Sequence, residues 1–253
     1  MPEIKLYIVH GSHPCATVMK ALELKGLPYK TVELVPPGHA LAQRLRFGKR
    51  TVPGIIIDGR KTVGSRAILR ELEKLVAEPA LLPTDPEARA KVEDAERWGD
   101  EVFQPIARRL LWPSFKRYPR AMSSYSEHAK LQLPAPMVLA VAPVATRIEM
   151  AMNVATDDSV RADLAELPGH LDRIDAWIAE GIMGGEQPNA ADLQIAATTR
   201  LLWTIGDVRP LIDGRPISDL AHRLFPQFDG MLPAGVLPAE WIPAIEAGAS
   251  VGA

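Results

Sequence analysis

The chain has 253 residues, 47% hydrophobic and 24% charged, with 29 Lys and Arg against 31 Asp and Glu and a formal net charge of -2. This balance lacks the clustered positive charge that a phosphate backbone requires, so no nucleic-acid partner is expected. A single cysteine excludes an intramolecular disulfide and points to a reducing, cytoplasmic compartment. A chain this long folds without staples, and it carries no zinc-spaced cysteines, HExxH, P-loop or dinucleotide glycine fingerprint, so no metal is expected.

The N-terminal run MPEIKLYIVHGSHP is apolar over too few residues for a signal segment and reads as a strand over Ile4–Val9, central in its sheet. Pro14 suits the first turn of a helix whose apolar face holds Val18, Ala21 and Leu22, and Gly26 stops it. Residues 29–34 alternate with period two and read as a second strand. Pro36-Pro37-Gly38 breaks the pattern before a short helix through Leu41, Leu45 and Phe47. Val52-Pro53 leads into a third strand at Ile55-Ile56-Ile57, and Asp58-Gly59 signals a hairpin into Lys61-Thr62-Val63. A helix with Ile68, Leu69, Leu72 and Leu75 on one face closes a β-α-β-α-β-β-α unit.

After Pro79 the composition changes. Residues 80–86 read as a linker ending in a helix cap at Pro83-Thr84-Asp85-Pro86, and only helix signals follow: 87–111, 137–153, 159–180, 189–205 and 217–224. The last stretch, rich in Pro, Gly and Ala, is expected to wrap over the surface or fray. Residues 133–145 are apolar but fall well short of the ~20 needed to cross a bilayer. Pro134, Pro136 and Pro143 interrupt them, so a buried helix start or a pocket wall is expected and no membrane span.

The order of elements, an α/β unit followed by an all-α helical bundle, resembles the glutathione transferase family, with its thioredoxin-like N-terminal domain. Three motifs carry the resemblance. Ser12-His13-Pro14-Cys15 is similar to the Ser/Cys-x-x-Cys opening after the first strand. Thr51-Val52-Pro53 is similar to the Val-Pro that precedes the third strand, where the family holds the proline in cis. Asp58-Gly59 with Ser65-Arg66-Ala67-Ile68 resembles the hairpin and the start of the next helix. A fourth match, Pro188-Asn189-Ala190-Ala191-Asp192, resembles a helix-start box in which Asn189 caps the helix and Asp192 reaches back to the Asn189 N–H. The resemblance implies a thiol-binding domain over 1–79, a linker over 80–86 and a helical domain over 87–253 that forms the electrophile pocket.

It also implies chemistry. A thiol attacks as its thiolate, which a helix N-terminus and a hydroxyl donor favour. Ser12 stands where the family stabilises that thiolate, and it also stands where a plain helix cap would. Cys15 is either a second nucleophile or, one turn further in, a small apolar packing residue. Val52 and Pro53 would align the thiol peptide, unless the proline merely starts a strand. Ser65, with Arg66 beside it, opens a helix and would hold the γ-glutamyl carboxylate, unless Ser65 is simply a cap. His39, Arg44, Lys49 and Arg50 lie where the family recruits a cation for the glycine carboxylate. His10 and His13 flank Ser12 and can exchange protons near neutral pH.

The sequence departs from the pattern at Gly64, where an acidic or amide residue would hold the ligand's ammonium group. Trp98, Phe103, Ile106, Leu110, Trp112, Phe115 and Tyr118 supply core, dimer contacts and part of a pocket for a second substrate. The implied protein is a cytoplasmic homodimer of the detoxification type. It would conjugate glutathione, or another low-molecular-weight thiol, to hydrophobic electrophiles, with the thiol as co-substrate and no covalent cofactor. Two alternatives stay open: a non-catalytic binding module on the same fold, or a thiol-dependent peroxidase or oxidoreductase acting through Cys15.

Overall fold

Alternation in the first strand sets the core of the N-terminal α/β unit. In β1 (Ile4–Val9) the side chains of Ile4, Leu6 and Ile8 are buried on one face while Lys5, Tyr7 and Val9 are half-buried on the other. The computed structural model describes residues 2–36 and 38–244; Pro37 and the end of the terminal stretch, from 245 onward, lie outside the described residues. α1 (His13–Leu24) follows, then β2 (Lys30–Leu34), α2 (His39–Phe47), β3 (Gly54–Ile57), β4 (Arg60–Val63) and α3 (Ser65–Leu75). This is the order expected from the sequence.

The sheet runs β2-β1-β3-β4, so β1 is interior, as its apolar content requires. β1 pairs parallel with β2 and antiparallel with β3, and β3 pairs antiparallel with β4. Asp58 and Gly59 turn the hairpin at φ +47° and +83°, the left-handed pair that a two-residue turn demands. On the second face of β1, the rings of Tyr7 and Phe47 meet edge-on, their centroids 5.1 Å apart.

The second region is helical: α4 (Pro86–Trp98), α5 (Gln104–Arg117), α6 (Ala135–Asn153), α7 (Asp157–Ala179), α8 (Ala190–Trp203), α9 (Arg209–Ile212) and α10 (Pro216–Leu224). Where one helix over 87–111 was expected, α4 and α5 run on from 86 to 117 through a π turn at Gly99–Phe103. Pro105 supplies no N–H to the preceding turn, and the Gln104 N–H instead reaches the Gly99 carbonyl, five residues back. Gly99 also has to be glycine-sized: a Cβ there would stand 2.7 Å from Ile195 of α8. The three prolines expected to break up 133–145 do less. Pro134 caps α6, Pro136 sits in its first turn, and the helix runs straight through Pro143. Pro143 and Leu139, whose carbonyl loses its partner, both face outward. By length and mean hydropathy, 1.3, α6 is apolar enough to cross a membrane, although it packs on α5 and carries the buried Glu149.

α8 is buried almost end to end and joins the two regions. The Thr17 hydroxyl of α1 donates to the Leu193 carbonyl at 3.1 Å, and the Ala190 N–H donates to the Leu81 carbonyl, between α3 and α4, at 2.8 Å. On the other side the fully buried Glu96 of α4 accepts from Arg70 of α3 at 3.1 Å and has Arg66 at 3.6 Å. The described part of the terminal stretch is pinned to the surface: Leu232 bridges Ile205, and Asp207 accepts the N–H groups of Val236 and Leu237 at 2.9 and 2.8 Å.

Candidate functional site

The turn between β1 and α1 carries the first site residues. Gly11 adopts φ +74° there and lies against Tyr125, whose carbonyl oxygen would be 3.1 Å from an added Cβ. Ser12 is the N-cap of α1, yet its hydroxyl forms no capping bond. Its N–H donates to the Val9 carbonyl at 3.1 Å, while the N–H groups of Cys15 and Ala16 both turn back to the Ser12 carbonyl at 3.0 Å. Pro14 has no N–H. Among the described residues, the His13 N–H is thus left without a backbone acceptor, and the Ser12 hydroxyl beside it makes no capping bond, its contact in the helix being with the Cys15 thiol. Two donors at a positive helix end suit an anion.

Cys15 lies behind this turn, 2% exposed. Burial pushes its thiol up to about 11, against the weaker pull of the Ser12 hydroxyl and the Val9 backbone, so it is a thiol at neutral pH. Burial also holds His13 well below the usual imidazole range, with Arg108 adding to the effect. His13 is therefore neutral and lines the cavity described below. His10 is held differently: its Nε2 is 2.7 Å from Asp229, which also takes the His128 N–H at 3.0 Å and meets His128 Nδ1 at 2.7 Å.

The Val52-Pro53 peptide is cis, and the Pro53 carbonyl accepts the Gly64 N–H at 3.0 Å. Gly64 has φ +92°, a conformation that a side chain disfavours, which gives a physical reason for glycine where an acid or amide was expected. Ser65 is buried at the start of α3, and its hydroxyl donates to Gln194 Oε1 of α8 at 2.9 Å. Arg66 is turned toward the acids of the helical region, Glu96 at 3.6 Å and Glu101 at 3.5 Å.

Ser12, His13, Val52, His39 and Arg50 come together on one wall of a cavity of about 440 Å³ between the two regions. Cys15, Pro53, Ser65, Arg66, Arg44 and Lys49 are not among its lining residues. The facing wall is apolar and aromatic. Leu111, Trp112 and Phe115 of α5 and Val138, Val141 and Met152 of α6 form it. Of the other aromatic and apolar candidates, Phe103, Ile106 and Leu110 are core, and Trp98 stacks on Phe103 with ring centroids 5.5 Å apart.

Two charged lining residues of the helical wall were not among the candidates from the sequence: Arg108 of α5 and Glu149 of α6. Each is one charged side chain in an otherwise apolar helical stripe, 108-111-112-115 and 138-141-145-149-152. That spacing was the available signal. Burial pushes the Glu149 carboxyl up to about 7, against the pull of Arg108, and burial lowers both Arg108 and His39.

Residues 6–80 match the family model described as glutathione S-transferase, N-terminal domain. No curated protein matches the chain in sequence. Among solved structures, the chain is similar to a glutathione S-transferase from Rhodospirillum rubrum F11, at 21% identity over 88% of each chain and a TM-score of 0.61. It is similar to glutathione transferase F7 from Populus trichocarpa at 16% identity, over 87% of this chain and 92% of that one, with a TM-score of 0.60. A theta class glutathione S-transferase from Xanthomonas axonopodis pv. citri, solved with glutathione bound, matches at 20% identity over 78% and 80%, with a TM-score of 0.52. Residues 6–80 thus match a glutathione S-transferase N-terminal domain, and the chain has the fold of these solved structures, a small thioredoxin-like sheet with helices followed by a helical region.

Proposed function

We propose that the protein binds glutathione, or a related low-molecular-weight thiol, and joins its sulfur to a hydrophobic electrophile. The observation that carries this reading is a shared cavity: Ser12 and Val52 face Leu111, Trp112 and Phe115 across it. The Ser12 hydroxyl, which makes no capping bond, and the His13 N–H donate to the sulfur and favour its thiolate form. The thiol proton leaves to solvent, and the sulfur lone pair forms the new C–S bond. The electrophile then expels its leaving group with the bonding electrons, or takes up a proton if the reaction is an addition. Holding both reactants in one cavity supplies proximity.

In this reading 1–79 is the thiol domain, 80–86 the linker and 87–253 the electrophile domain of a cytoplasmic homodimer acting in detoxification. Val52 and Pro53 align the thiol peptide, His39 and Arg50 answer its glycine carboxylate, and the start of α3 at Ser65 answers its γ-glutamyl end. The glutathione-bound Xanthomonas relative supports glutathione as the co-substrate. Cys15 is packing, because a buried thiol raised to about 11 supplies almost no nucleophile.

Conjugation of glutathione to a hydrophobic aryl or benzyl halide tests the reading. Ser12→Ala is expected to lower kcat/KM about ten- to hundredfold, the worth of one hydrogen bond to a charged group, and Cys15→Ala to leave it within about twofold, since the buried residue acts as a small apolar side chain. Equal activity of Ser12→Ala and wild type overturns it. The engagement of the Ser65 hydroxyl by Gln194 and the φ of Gly64 favour a second reading, a binding module that holds thiols without turnover. Thiol binding with no conjugation of any halide selects it.

A further inference from the structure

The cavity contains a cation, Arg108, with no carboxylate in direct contact. Arg108 Nε donates to Asn153 Oδ1 at 3.0 Å and Nη1 donates to Gln104 Oε1 at 2.8 Å, both neutral amides. Among the described residues no carboxylate lies within the 4.0 Å of an ion pair, and Nη2 has no protein acceptor. A guanidinium keeps its charge in proteins, and a sheltered charge is costly when its nearest carboxylates, Asp100 and Glu149, act on it only from beyond ion-pair distance. An anion from outside the chain relieves that cost.

The polar groups around it are also incomplete. Glu149 is 5% exposed, and its Oε1 has no hydrogen-bond partner. The nearest imidazole atom, His39 Nδ1, is 3.9 Å away, beyond hydrogen-bond reach, and is equally unpartnered. Gln104 Nε2 and His13 Nε2 are buried and unpartnered as well. Four elements therefore bring unsatisfied polar atoms to one neighbourhood: α1, α2, α5 and α6.

We propose that Arg108 and Glu149 form a receptor for a carboxylate on the second substrate, so that the electrophile of this protein is an amphipathic acid with an apolar body. The inference rests on the reading of this cavity as the electrophile's seat. The apolar body lies against Trp112, Phe115 and Val138, the Arg108 fork takes the carboxylate, and Glu149 in its protonated form donates the second hydrogen bond. Affinity for such an acid therefore falls as pH rises through the Glu149 value of about 7. The other titratable groups facing Glu149 are Arg108, which stays charged, and His13 and His39, which burial keeps neutral; Glu33 lines the cavity from β2, and Asp100 acts on Arg108 from the π turn.

Titration calorimetry of cinnamate and cinnamamide, without any thiol, tests the receptor. At a pH below the Glu149 value, cinnamate is expected to bind at least about tenfold tighter than the amide, the scale of a charge-assisted hydrogen bond. Arg108→Met removes that preference, Arg108→Lys keeps part of it, and Glu149→Gln keeps it but flattens its decline with pH. Circular dichroism and melting temperature identify the folded variants, and the Lys variant carries the test if the Met variant does not fold. Equal binding of acid and amide, or an undiminished preference in folded Arg108→Met, overturns the proposal. A separate glutathione titration keeps the two readings apart. Absent thiol binding with an intact acid preference removes the conjugation reading alone, and thiol binding without the acid preference removes the receptor alone.

Discussion

The Ser65 hydroxyl donates to the side-chain oxygen of Gln194 at 2.9 Å, a buried hydrogen bond that ties the first turn of α3 to the central helix of the second region. It commits a group that a carboxylate ligand would otherwise use. Any carboxylate held at the start of α3 must then rely on backbone N–H groups.

Ser65→Ala leaves Gln194 Oε1 buried without a donor. We expect it to cost about 1–3 kcal/mol in denaturant unfolding, the penalty for an unsatisfied buried acceptor. Its effect on glutathione affinity should be small if the backbone does the binding. A large loss of affinity at unchanged stability shows that the hydroxyl serves the ligand instead.

Cys15 should be inert in the folded protein. With the thiol buried and raised to about 11, native protein at mildly alkaline pH is expected to react with iodoacetamide far more slowly than urea-unfolded protein. Mass spectrometry of the single cysteine reads this directly. Rapid native labelling would restore the oxidoreductase alternative.

The Glu149 carboxyl gives a pH signature with a definite sign. Its folded value, about 7, lies above the ordinary carboxylate value of 4.5, so between the two the folded state holds a proton that the unfolded state has lost. Unfolding free energy from this group falls as pH rises through that window and is level above it. Wild type should lose stability relative to Glu149→Gln from about 4.5 to about 7, measured as parallel melts. A constant difference across the window contradicts the assignment.

The helix-start box at Asn189 and Asp192 was legible in the sequence and is closed in the structure. Asn189 Oδ1 accepts the Ala191 and Asp192 N–H groups at 2.9 and 3.1 Å, and Asp192 accepts the N–H groups of Asn189 and Gly184 at 2.8 and 2.7 Å. Asn189→Ala should destabilise by about 1 kcal/mol, as loss of an N-cap does. Asp192→Ala should cost more, because it strips partners from two N–H groups. A smaller loss for Asp192→Ala than for Asn189→Ala runs against this.

The same contrast explains what else could be read in advance. Local chemistry wrote the Asp58-Gly59 turn, the Pro14 helix start and the alternation of β1 into the chain, and each is where it was expected. The π turn was not legible, because it arises where the missing N–H of Pro105 meets the close approach of Gly99 to Ile195. Nor was the partner of Ser65, which comes from 129 residues away. At the site, Ser12 and Val52 were readable from their motifs. Arg108 and Glu149 were hidden because each is one charged residue in an apolar stripe, and only the packing of α5 on α6 along the same wall of the cavity gives them meaning.

The central claim is that Ser12 and the start of α1 hold a thiolate. Difference absorbance of glutathione thiolate, followed as glutathione is titrated into the protein at neutral pH, tests it most directly. The account predicts a saturable thiolate signal with wild type and with Cys15→Ala, accompanied by a rise in melting temperature, and its loss in folded Ser12→Ala. A thiolate signal that persists in Ser12→Ala, or none in wild type at saturating glutathione, contradicts it.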